Sequence, residues 1–82
     1  MKENEIHPDY YKLIDIDIDF SIPLLVKNTM EDTENALKED GELGPFLNWV
    51  ETLDNVCKEA YVTGLLTKKQ WEYIMSRYDN FM

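Results

Sequence analysis

The chain has 82 residues, 44% of them apolar, with 17 acidic against 8 basic side chains and a net charge of −9. This is globular composition in a length that makes one small domain, burying roughly 60–65% of its unfolded surface. It excludes an internal disulfide and a thiolate metal cluster, since Cys57 is the only cysteine, and it excludes a membrane span, since no apolar run nears ~18 residues.

Residues 1–12 are polar and lack the apolar centre of a secretion signal. With a lone cysteine, that points to a reducing, cytoplasmic setting. His7 is the only histidine, so a histidine metal site or a histidine-based triad has no second member.

In residues 13–21, Ile14, Ile16, Ile18 and Phe20 alternate with Asp15, Asp17, Asp19 and Ser21. The alternation matches period two, and aspartate is poor in helix interiors, so an extended, β-like segment is expected. A helical turn capped by aspartate side chains is the competing reading. No second convincing strand exists to pair with it, so the isoleucine face is expected against the helical core or another chain, and the pairing demand favours a homodimer through this arm. The run also begins like a calcium loop, D-x-D-x-D. That loop needs Gly at its sixth position and Glu at its twelfth, where this chain has Phe20 and Val26. On an extended chain Asp15, Asp17 and Asp19 share one face at about 6.6 Å spacing, which spreads charge along a line instead of focusing it on one ion. No metal and no cofactor is expected. The plain alternative is a solvated face that blocks edge-to-edge association.

Three helices follow. The first is expected over about 22–39, capped by Ser21, with Ile22, Leu25, Val26, Met30 and Leu37 as its apolar stripe and an acidic second half. The second, about 45–63, starts with Pro45 in the tolerant first turn and stops at Gly64. The third, about 68–79, has Thr67 as N-cap and Gln70 completing a capping box. Trp49, Leu53, Val56, Cys57, Ala60, Trp71, Ile74 and Met75 are the expected core. The fold is therefore mainly α: a single domain over residues 1–82, with an N-terminal extended arm (1–21) and a three-helix body.

Charge is unevenly placed. Residues 1–57 carry 14 acids against four lysines, a balance of −10, whereas residues 58–82 carry four bases against three acids, +1. Negative excess repels nucleic acid and membrane surfaces and attracts basic protein surfaces. The acid–base inventory of an enzyme is missing, because Cys57 lies on an apolar helix face and Ser21 and Ser76 lie in no nucleophile motif. Two functions compete. One is an acidic, non-enzymatic protein-interaction module binding a basic protein surface through Asp15, Asp17, Asp19, Glu31, Asp32, Glu34, Glu39, Asp40 and Glu42. The other is a helix-turn-helix-like DNA-binding regulator over residues 58–79, using Lys68, Lys69 and Arg77. The second lacks the basic footprint of a DNA-binding domain. A merely solvating acidic surface is the plain reading of the same charge. In size, charge and compactness the chain resembles phage and mobile-element inhibitors of restriction or CRISPR nucleases, which imitate nucleic acid. No motif joins it to a named family.

Overall fold

The computed structural model describes residues 13–40 and 43–81. Most of the expected arm and Glu42 lie outside the described residues. Three α-helices are formed: α1 over Leu24–Asp40, α2 over Leu43–Val62 and α3 over Lys68–Ser76, followed by a 3-10 turn at Asp79–Phe81. No strand occurs among the described residues. α1 packs mainly along α2, α3 also packs on α2, and the buried residues of the three helices form one core.

α1 starts two residues later than its sequence suggests, because the residue before a proline is steered out of the helical region and Ile22 precedes Pro23. The Lys27 N–H donates to the Pro23 carbonyl at 3.0 Å, so Pro23 stands at the helix boundary and Ser21 lies exposed ahead of it. The buried stripe of α1 is also shifted from the expected one. Val26, Thr29 and Thr33 are buried, while Leu25 is 63% exposed. Burying a hydroxyl without a partner costs about 1–3 kcal/mol. Both threonines avoid that cost by donating back along the helix, Thr29 to the Leu25 carbonyl at 2.7 Å and Thr33 to the Thr29 carbonyl at 2.6 Å.

α2 supplies the centre of the core. Phe46, Val50, Leu53, Cys57 and Ala60, spaced four, three, four and three apart, are buried on one face. Trp49 was expected in the core but lies on the flank of this stripe and is 36% exposed, with Phe46 taking the central place. Val56, on the same flank, is half-buried. The helix ends where its sequence indicates. Gly64 has φ +83°, its N–H bonds to the Tyr61 carbonyl and the Leu65 N–H to the Ala60 carbonyl. This is a Schellman closure, and its left-handed residue costs a glycine least.

α3 opens with the expected capping box: Gln70 N–H donates to Thr67 Oγ1 at 3.0 Å and Thr67 N–H to Gln70 Oε1 at 2.9 Å. Ile74 and Tyr78 are fully buried, whereas Trp71 and Met75, expected as core, are half-buried. The α-helix stops at Ser76, three residues short of the expected end. The chain then tightens into the 3-10 turn, which lays Phe81 on Phe46 with ring centroids 4.6 Å apart and leaves Tyr78 at 6.2 Å from the same ring. Burial pushes the Cys57 thiol up to about 12, with the Asp54 charge adding to the effect. Cys57 is therefore packed as a small apolar side chain in the protonated form.

Candidate protein-interaction surface

Residues 13–23 form no regular element, yet burial alternates along them. Ile14, Ile16, Ile18, Phe20 and Ile22 are half-buried, and Asp15, Asp17, Asp19 and Ser21 are exposed. Leu13, Ile18, Phe20 and Ile22 pack on the helical core. The backbone is fastened at two points. The Ile14 N–H donates to the Arg77 carbonyl at 2.8 Å, and Arg77 Nη1 donates to the Ile14 carbonyl at 3.0 Å. Three residues on, the Tyr73 hydroxyl accepts from the Asp17 N–H at 2.7 Å and donates to the Asp17 carbonyl at 3.0 Å. The Arg77 carbonyl and the side chains of Tyr73 and Arg77 thus take the place of a partner strand. The homodimer expectation rested on unpaired strand groups; at Ile14 and Asp17 those groups are bonded within the chain.

Arg77 joins three parts of the molecule. Its Nε and Nη2 make a two-pronged pair with Glu34 of α1, at 2.8 and 3.1 Å, and Tyr78 Oη donates to Glu34 Oε2 at 2.8 Å. Burial opposes ionisation of Glu34, but the bonds from Arg77 and Tyr78 and the Arg77 charge outweigh it and hold the carboxyl below its ordinary value. The same bond raises Arg77. Tyr78 is raised by burial first and then by its bond to Glu34, so it remains a hydroxyl donor.

The acidic residues singled out from sequence therefore divide. Asp15, Asp17 and Asp19 point outward from the fastened segment, and Glu31, Asp32 and Glu39 are exposed on α1. A groove of about 350 Å³ runs between the segment and α1, with Ile16, Ile18 and Met30 in its lining and Glu31, Lys27 and Glu34 at α1. The carboxylates in this lining are Glu31 and Glu34 of α1; the segment contributes its isoleucines, and its three aspartates lie outside the groove. Glu34 is engaged in the internal pair with Arg77, and Asp40 ends α1. Among the described residues, no group of three or more His, Cys, Asp or Glu side chains could hold a metal ion. No helix among them is long and apolar enough to cross a membrane. Of the basic residues named for DNA contact, Lys68 and Lys69 are exposed at the start of α3, and Arg77 is held by Glu34 and Ile14.

The sequence reading missed Tyr73 and Tyr78 as fastening groups. Their period of four from Ile74 and Arg77 was visible, but nothing local to them marks a partner 56 or 44 residues away. No protein-family model, no curated protein and no solved structure matches this chain.

Proposed function

We propose that the protein is a small, acidic, non-enzymatic interaction module that binds a basic protein surface, such as the groove of a nucleic-acid-binding protein. Asp15, Asp17 and Asp19 form the leading edge, and Glu31, Asp32 and Glu39 of α1 extend it; Asp40 is the last residue of that helix, and Glu42, also read as part of the patch, lies outside the described residues. The observation that carries this reading is the fastened row. Of the isoleucines between the aspartates, Ile18 packs on the core and Ile16 lines the groove against α1, and the backbone is bonded at Ile14 and Asp17. The three carboxylates are therefore held outward at alternate positions without the ordering cost that a free chain would incur on binding. A preformed line of negative charge suits a surface built for a phosphate backbone, and it raises the rate of encounter with basic grooves.

The test is replacement of Asp15, Asp17 and Asp19 together by asparagine, which keeps size and removes charge. The partner is taken from cells of the source organism with the wild-type chain as bait, then purified and titrated. Its binding should weaken by about tenfold or more, a loss of about 1.4 kcal/mol, while the unfolding midpoint holds or rises slightly as self-repulsion is relieved. Unchanged affinity in the triple variant would reduce the row to a solvated face. Tight binding of the wild type to duplex DNA at low salt would instead favour the regulator reading.

A further inference from the structure

We propose that the groove between α2 and the C-terminal end of α3 is a second docking surface, one that accepts a cationic amphipathic helix of a partner protein through a bulky apolar anchor. The inference goes beyond the carboxylate row and stands on different residues. The groove has a volume of about 560 Å³ and is lined by Leu47, Val50, Glu51, Asp54, Met75 and Phe81, together with Asn48. Val50 is buried and forms the floor, whereas Leu47 is 38% exposed at its edge. On the far side of α3, Tyr73 and Arg77, four residues apart, face the fastened segment. Met75 and Trp71, also four apart, face this groove and its extension.

Its chemistry names the occupant. The floor is apolar, and the charged groups in the lining are the carboxylates of Glu51 and Asp54, with no basic side chain. Asp54 Oδ1 accepts from Trp71 Nε1 at 2.8 Å, which fixes that carboxylate at the rim. A smaller depression of about 230 Å³ shares Asp54 and Met75, and its edge adds Glu72 and Lys68. The combined rim is therefore net negative, in a chain of net charge −9. Leu47, Glu51 and Asp54 stand at i, i+4 and i+7 on one ridge of α2, so the trough runs along a helix axis, the geometry of helix-in-groove recognition. An anchor of the size of Phe or Leu fills the floor, and Lys or Arg on either side of it meets the rim.

The probe is a pair of synthetic helical peptides, one of leucine and lysine with a central phenylalanine, the other with every lysine replaced by glutamate. Each is titrated into the full chain with labelled methyl groups and amides. The cationic peptide should shift the signals of Leu47, Met75 and Phe81, and the anionic one should not bind. Leu47→Ser should weaken the cationic peptide by about tenfold or more, and Glu51→Lys by about threefold or more, with both unfolding midpoints near wild type. Glu51 is an exposed rim residue, so its variant reports on binding even where Leu47→Ser loses stability. The variant with Asp15, Asp17 and Asp19 replaced by asparagine should bind the peptide within about twofold of wild type, which separates the failure of this groove from the failure of the row. The proposal is overturned if the shifts fall on residues 15–19 and α1, if Leu47→Ser and Glu51→Lys bind like wild type, or if the anionic peptide binds as well. It is also overturned if Leu47 and Met75 shift with protein concentration alone, which would make a second copy the occupant.

Discussion

The α1–α2 pair and the segment 13–23 are held by opposite means. The helices share a distributed apolar interface in which Val26, Phe46, Val50, Leu53 and Cys57 lose nearly all their exposure. Hydrophobic burial of that kind is non-directional and indifferent to pH. The segment's apolar side chains are only partly buried, and it is fixed by a few directional bonds to Tyr73 and Arg77, the latter paired with Glu34. The difference teaches where the molecule can be altered cheaply. The body tolerates no single loss in its centre but many at its edge. The carboxylate row draws its side-chain hydrogen bonds from two residues, either of which one substitution removes.

The largest expected effect is in the body. Leu53 is fully buried on α2, and Leu53→Ala should cost about 2–5 kcal/mol, read as a fall in the urea midpoint with an unchanged slope. A midpoint equal to wild type would contradict the assignment of that face. The clamp comes next. Arg77→Ala leaves the Glu34 carboxylate half-buried without its cation and removes the guanidinium bond to the Ile14 carbonyl, so it should cost about 1.5–3 kcal/mol. Amide exchange should also quicken at residues 14–17 more than in α2. Equal quickening throughout would mean that segment and body open as one unit.

Acid should act on the clamp and leave the apolar pair untouched. The folded Glu34 carboxyl lies below its ordinary 4.5. Its contribution is therefore fully present above the unfolded value and is lost as pH falls through the lower folded value. Wild type should lose stability below about pH 4.5 relative to Glu34→Gln, whose difference from wild type should shrink as the pH drops. A constant difference from pH 7 to pH 3 would show that Glu34 gains nothing from Arg77. The smallest effect is Tyr73→Phe. It removes both hydroxyl bonds to Asp17 at an exposed site, for about 0.5–1.5 kcal/mol, and should quicken exchange of the Asp17 amide while the global midpoint barely moves.

Much of the helical body was legible in the sequence, and the reason is local. The stop of α2 at Gly64 and the capping box at Thr67 and Gln70 are written in residues next to the backbone they serve. The alternation of residues 14–20 likewise foretells which side chains face outward along that segment. What was not legible depends on other elements. A helical stripe shows a face but not which flank a neighbour covers, and so Trp49 was placed inside although it lies 36% exposed. Thr29 and Thr33 read as polar, yet each satisfies its hydroxyl within its own turn and can be buried. The Glu34 carboxylate read as one more member of an acidic face, because its partner Arg77 lies 43 residues away.

The central claim is that position, and not net charge, gives the acidic surface its partner. The most direct measurement compares two variants that each remove two charges. One replaces Asp15 and Asp17 by asparagine; the other replaces Glu59 and Asp79, both exposed, by their amides. Association rates with the captured basic partner are measured across ionic strength. The account predicts that the first variant loses about tenfold or more in affinity and most of the salt dependence of its association rate, and that the second stays within about twofold of wild type. Equal losses in the two variants would contradict it.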